Sequence, residues 1–479
     1  MHLTISPLLK QSWIVSGILF DMLGSGMILS YPSSMLPALL SGNETITVDL
    51  HTASWLGSSV GVSGVLGLFI SSFMMEWLGR RIANAIAILP SMAGWLLIYY
   101  SSDVATLMTG RILTGITAGG LVCLNAISIG EYTSPKYRGM FLNLKTTAVC
   151  LGNTFIHLLG FYFHWRIVAL FALAPQVMAL IIIFTWKESP TWLAANRQFE
   201  NSESVFYWLR GNSKQSKKEL GDMIKAQKER LDAQTIQSCG DKTKDFFKKF
   251  KRRDFMQPII IVCFGFILLE ACGRHTFPAY APQIIGEITG NKSESFYYII
   301  VIDLIVTASA LLSAVLVKLI KRRILLFSTG LAALVILAIV CLYLYLVSIE
   351  VISNSRTWIP QTLFVIYFIL SNLGCAPIPL TFLGELFPLV HRGTCSAVSG
   401  IILSITFVVV LAACPYLLAS AGVHGTFTVY GIAMAVSLVA LYFLLPETKD
   451  RTLQEIEDHF NNGKLPEKCD EKGNASLSK

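Results

Sequence analysis

Gly130-Glu131-Tyr132-Thr133-Ser134-Pro135-Lys136-Tyr137-Arg138-Gly139 returns in the second half of the chain as Gly384-Glu385-Leu386-Phe387-Pro388-Leu389-Val390-His391-Arg392-Gly393. Each copy follows a long apolar run, and Glu131 to Arg138 has the spacing of Glu385 to Arg392. Charges at the end of an apolar helix are costly unless they are paired or solvated. Two copies in register point to an internal duplication in which each half ends an apolar run with the same charged turn.

Around these copies the chain of 479 residues is 53% hydrophobic and 14% charged. A soluble domain carries about 25% charged residues, so a soluble protein is excluded. Apolar runs of roughly 20 residues, the length that crosses ~30 Å of hydrocarbon, recur near 11–31, 53–75, 82–100, 104–130, 141–163, 166–186, 257–285, 295–317, 324–348, 358–383, 393–416 and 425–446. The expected fold class is an all-α membrane protein with twelve transmembrane helices in two six-helix bundles. Residues 1–186 form the first bundle, 187–256 a cytoplasmic linker with short helices, 257–446 the second bundle and 447–479 a cytoplasmic tail. The first run starts just after Lys10 and is too long for the apolar core of a cleavable signal.

Lysine and arginine fall mainly on one set of loops: Arg80 and Arg81, Lys136 and Arg138, Lys321 to Arg323, Arg392 and the basic middle segment. The other set holds only Arg166, Lys292 and Arg356. The basic side is cytoplasmic by the positive-inside rule, which puts both termini in the cytosol. The net charge of +8 follows from this bias, and no nucleic-acid partner is implied. The run from Lys242 to Arg253 suits anchoring on anionic lipid. Phe199, Val205, Phe206, Trp208 and Leu209 lie among charges, a pattern for amphipathic helices against the membrane face. Asn43 and Asn291 begin sequons on the outer side and are candidate glycosylation sites; Asn474 begins one on the cytosolic side. The ten cysteines show neither a disulfide framework nor metal-ligand spacing, and no cofactor is implied.

Other helix ends carry charges too. The loop after the second run reads Glu76-Trp77-Leu78-Gly79-Arg80-Arg81, and its counterpart reads Lys318-Leu319-Ile320-Lys321-Arg322-Arg323. Lys187-Glu188-Ser189-Pro190 follows the sixth run, and Pro446-Glu447-Thr448-Lys449-Asp450 follows the twelfth. Together with Ala53-Ser54-Trp55, Gly110-Arg111-Ile112-Leu113-Thr114-Gly115 and Ala376-Pro377-Ile378-Pro379, this ordered set resembles the sugar porters of the major facilitator superfamily. The likeness extends to the insect facilitated trehalose and hexose transporters and runs from about Gln11 to Phe460.

That resemblance implies a cytosolic latch of inter-helix salt bridges that holds the outward-facing state. Arg80, Glu131, Arg138 and Glu188 would serve the first bundle, and Arg322, Glu385, Arg392 and Glu447 the second. Breaking a desolvated pair costs roughly 3–5 kcal/mol. The family's seventh span carries a Gln-Gln-Leu-Ser-Gly-Ile-Asn stretch whose amides bond sugar hydroxyls. Here the aligned residues are Leu269-Glu270-Ala271-Cys272-Gly273-Arg274-His275, and only the glycine is kept. Tyr280 is retained, Leu380 replaces a tryptophan, Leu403 and Ser404 an Asn-Trp pair, and Val306 an asparagine. The candidate substrate set is Glu270, Arg274, His275, Tyr280, Thr146 and Leu380.

Glu270 and Arg274 are spaced i, i+4 and pair on one helix face, or they bind substrate, or they couple protons. Asp303 is a second partner open to Arg274. Asp21, a costly carboxylate in the first span, faces the cytoplasmic vestibule or joins Arg111 and Asp303 as a coupling candidate. Proton-driven members of the family set an aspartate of the first span against the arginine of the fourth. Here Arg111 is present and Tyr31 stands at the aspartate's position, which favours facilitated diffusion. Glu270 with His275 argues the other way, since carboxylate and imidazole carry protons.

Three functions therefore stand. The first is facilitative transport of a sugar, trehalose or a hexose, across the plasma membrane by alternating access. The second is a proton-coupled carrier of another polar solute using Glu270 and His275, and the third a non-transporting nutrient sensor. The lipid bilayer and a small solute are the implied partners. No nucleophile–base set or nucleotide-binding loop indicates an enzyme.

Overall fold

Short polar side chains and prolines set where the helices begin. The first half contains α1 (Pro7–Ser30), α2 (Pro32–Leu40), α3 (Leu50–Trp77), α4 (Gly79–Tyr100), α5 (Val104–Tyr132), α6 (Pro135–Tyr162) and α7 (Trp165–Phe184). Ser6 caps α1 ahead of Pro7, its hydroxyl accepting from Leu9 N at 3.4 Å. Asp49 and Asp103 cap α3 and α5, accepting from Thr52 N at 3.0 Å and Thr106 N at 2.8 Å. Each takes up an N–H that a first helical turn leaves unpaired. The computed structural model describes residues 6–42, 44–234, 253–289, 292–352, 358–387, 392–447 and 460.

A linker of α8 (Pro190–Ala195), α9 (Phe199–Arg210) and α10 (Lys214–Gln234) follows. The second half contains α11 (Arg253–Ala271), α12 (Thr276–Thr289), α13 (Lys292–Leu319), α14 (Arg322–Ser348), α15 (Trp358–Leu370), a π-helical turn Ser371–Cys375, α16 (Pro377–Glu385) and α17 (Arg392–Leu444). Among the described residues, ten stretches are long and apolar enough to cross a membrane, with α1–α2, α11–α12 and α15–α16 each counting as one crossing. The stretch through α17 is two crossings, because Gly422 breaks it at φ +63° and ψ −172°. α6 is a more polar crossing that carries Lys145, Asn153 and His157.

Close helix contact in the first half depends on small residues. On α3 and α5, a Cβ at Gly67 would fall on Ile116 O, and one at Gly119 on Gly64 O. Such seams let backbones approach where lipid offers no hydrophobic drive to pack. Elsewhere Phe73 on α3, Val335 on α14 and Phe443 on α17 are exposed and apolar, as a surface facing lipid requires.

α9 turns its apolar residues onto protein rather than lipid. Val205, Phe206 and Leu209 are buried, and the helix packs on α8 and the start of α1. Lys10 Nζ donates to Trp208 O at 3.0 Å, and Gln11 Nε2 to Leu209 O at 3.1 Å. These bonds fasten the linker to the first bundle.

Two of the expected continuous crossings are broken. The one over 257–285 stops at Ala271, unwinds through Gly273 at φ +80°, and restarts at Thr276. The left-handed conformation at Gly273 suits only glycine without strain. The one over 358–383 passes through the π-helical turn before Pro377. The sequons at Asn43 and Asn291, residues 242–252 of the basic run and the tail from Thr448 onward, Phe460 excepted, lie outside the described residues.

Candidate functional site

The charged loops build the same device twice. Gly79, at φ +87°, starts α4 directly against the Glu188 carboxylate. Glu188 Oε1 accepts from Arg80 N at 2.7 Å, and Arg81 N donates to Oε2 at 3.2 Å. In the second half Glu447 accepts from Arg322 N at 3.1 Å and Arg323 N at 3.2 Å. Each glutamate thus meets the free N–H groups and positive dipole end of a helix. Burial pushes the Glu188 carboxyl above its ordinary 4.5, against the downward pull of its N–H donors.

Arg80 and Glu131 form an ion pair at 2.6 Å, with 15% and 14% of their side chains exposed. Ser189 Oγ donates to the other Glu131 oxygen. Among the described residues Arg138 forms no ion pair, so the set expected for the first bundle is only partly gathered. The side chains of Glu385 and Arg392 lie outside the described residues. Glu188 and Glu447 each accept from backbone N–H groups of an arginine pair.

The centre forms where the two broken crossings meet α6 and α13. A cavity of ≈ 20 Å³ is lined by Cys150, Asn153, Arg274, Asp303 and Asn372 among others. It has room for about one water, against the roughly 300 Å³ of a small ligand's pocket. Arg274 Nη1 reaches Asn372 Oδ1 at 3.3 Å in the second bundle and Cys150 Sγ at 3.6 Å in the first. The guanidinium therefore bridges the two bundles.

The i, i+4 pairing of Glu270 with Arg274 does not form, because the helix ends between them. Glu270 is fully buried and bonds His275 Nδ1 at 2.9 Å and 3.0 Å. Asp303 meets His157 Nδ1 at 2.6 Å instead of Arg274. Tyr280 turns its hydroxyl to Leu411 O at 3.1 Å, away from the cavity. Leu380 is 39% exposed, and Thr146 lies one helical turn from Cys150 toward the charged end; neither lines the cavity. Asp21 is buried and accepts from Asn125 Nδ2 at 2.9 Å, so it faces no vestibule. Arg111 donates to Leu56 O and Ile28 O, both at 3.1 Å, and lies over the Tyr31 ring at 5.8 Å.

Sequence reasoning missed Asn153, His157 and Asn372. The signal was present: polar side chains inside apolar runs are costly and mark sites. Asn153 and His157, one turn apart on α6, stand out on that ground.

Contacts between the bundles include Ser54 Oγ donating to Ala412 O at 2.7 Å and the Phe161 ring stacked on Phe296 at 3.9 Å. Both lie toward the end opposite the arginine pairs. Two membrane bundles with duplicated charged ends and a polar centre at broken helices define a carrier of the major facilitator fold. The description "Sugar (and other) transporter" matches residues 30–460, and the chain belongs to that family.

It is similar to the facilitated trehalose transporter Tret1 of Apis mellifera ligustica, 26% identical over 461 residues, covering 95% of this chain and 89% of that one. Tret1 of Bombyx mori is 26% identical over 432 residues, covering 89% and 83%. The inward open xylose transporter XylE from E. coli superposes with a TM-score of 0.75 at 16% identity, covering 94% of this chain and 99% of that one. The peptide transporter POT in complex with sulfate does so at 0.61 and 11%, covering 91% and 98%. At such identities the structures speak for the fold alone. The protein is a multi-pass membrane carrier and not an enzyme.

Proposed function

We propose that this chain carries a sugar, trehalose or a hexose, by facilitated diffusion across the plasma membrane, its termini and linker in the cytosol. The observation that carries the reading is the family match over residues 30–460, joined by Tret1 relatives across nearly the whole chain. The cargo meets the cavity beside Arg274, Asn153 and Asn372, whose donors and acceptors suit hydroxyl groups. The glutamate caps at Arg80–Arg81 and Arg322–Arg323, with the Arg80–Glu131 pair, fasten the cytosolic helix ends within each bundle, so that each bundle moves as one body. The two bundles rock about the central cavity.

Arg111 supports uniport. Its guanidinium is satisfied by two backbone carbonyls and the Tyr31 ring, not by a titrating carboxylate. Purified carrier in proteoliposomes should take up labelled trehalose or glucose saturably and stop at equal concentrations, with or without a proton gradient. Absence of saturable flux for every sugar would overturn the cargo. Accumulation above equilibrium driven by the gradient would overturn uniport.

A further inference from the structure

His157 stands on α6 in the first bundle and Asp303 on α13 in the second. Their side chains meet at 2.6 Å with 2% and 5% of their surfaces exposed. The other ring nitrogen of His157, Nε2, lies 2.9 Å from Pro278 O on α12. Both ring nitrogens therefore face oxygen acceptors.

A neutral imidazole has one N–H. Either neutral tautomer would press a nitrogen lone pair against an oxygen at bonding distance. Both contacts are satisfied only when the pair holds one proton more than a carboxylate plus a neutral ring. An imidazolium between carboxylate and carbonyl meets that count, and so does a carboxylic acid donating to Nδ1 while Nε2–H donates to the carbonyl. The number of protons is the same in both.

We propose that His157 and Asp303 form a proton-binding site that ties the two bundles, occupied in the conformation closed at this end and emptied when the bundles part. Parting returns both groups to water, where imidazole is largely neutral near pH 7. The closed form binds more protons, so lowering the pH favours it and raising the pH releases it. One proton shifts the equilibrium by up to about tenfold per pH unit.

Other charged groups around the pair are fixed. Arg274 lines the same cavity and turns its guanidinium to Asn372 Oδ1 and Cys150 Sγ. Cys150 contacts Arg274, and Glu270 and His275 bond each other behind the turn. Glu287, further along α12, accepts from Val423 N at 2.8 Å. Lys145, three turns back on α6, donates to Val122 O at 3.1 Å.

The inference goes beyond the cargo reading and holds whichever solute is moved. Its test is hydrogen–deuterium exchange of the full chain in lipid nanodiscs, without solute, across roughly pH 5 to 8 and corrected for intrinsic exchange. Peptides over 153–163 and 296–306 should lose protection as pH rises, by up to about tenfold per unit. His157→Gln and Asp303→Asn should flatten that dependence. Wild-type protection that ignores pH would overturn the proposal, as would a dependence that survives in either folded variant. Should one variant misfold, the wild-type titration and the other variant decide. A carrier that moves no sugar leaves this test intact, because it reads backbone protection alone.

Discussion

Glu188 shows how one carboxylate joins several elements. It accepts from Arg80, Arg81 and Ser189 backbone N–H groups, and Gly79 leaves the space it occupies. Glu188→Ala strands those donors and should cost about 2 kcal/mol, the range for hydrogen bonds to a charged group. Glu188→Gln keeps an accepting oxygen and should cost less than half as much. Melting of the purified carrier in detergent ranks the two. The pH dependence has a definite sign. Burial sets the folded pKa above the ordinary 4.5, so between those values the folded state binds more protons than the unfolded one. Stability through this group therefore falls as pH rises across that window and is level above it. The difference between wild-type and Glu188→Gln melting curves should slope only there. Equal slopes in both proteins would remove Glu188 as the cause.

At the scale of elements, glycines decide which helices touch. A Cβ at Gly67 meets Ile116 O and Gly120 N, whereas one at Gly130 meets nothing within 4 Å. Gly67→Ala should destabilise the first bundle by roughly 1–3 kcal/mol through overpacking. Gly130→Ala should be neutral or stabilise by about 0.5–1 kcal/mol, since it lies in a helix interior. Melting temperature and the monodisperse fraction on size exclusion check the pair, and equal behaviour would refute the seam. The crossings themselves were legible, because length and apolar composition suffice to mark a membrane helix. Their breaks were not. Gly273 and the turn Ser371–Cys375 sit inside runs whose length and overall apolar character suit one continuous crossing, and a local change of dihedral angles leaves hydropathy unaltered. The candidate site suffered from the same blindness. Glu270 and Arg274 share a face only if the helix continues, and it stops between them. His157 and Asp303 meet across 146 residues of sequence, a contact that no periodicity encodes.

At the scale of the molecule, the central cavity of ≈ 20 Å³ is far smaller than a sugar needs. On the proposed reading, cargo enters this cavity only after the bundles move, and the contacts at the end opposite the arginine pairs separate in every cycle. Phe161 on α6 and Phe296 on α13 stack there at 3.9 Å, with His157 and Asp303 deeper along the same two helices. Replacing both phenylalanines by cysteine and bridging them with a short reducible bis-thiol reagent ties the bundles without occupying the cavity. Sugar exchange in proteoliposomes should fall to background on bridging and return on reduction. The wild type, with its own ten cysteines, treated alike is the control. Exchange that continues while mass spectrometry confirms the bridge would mean that this end need not open, and that the bundles do not rock about the central cavity.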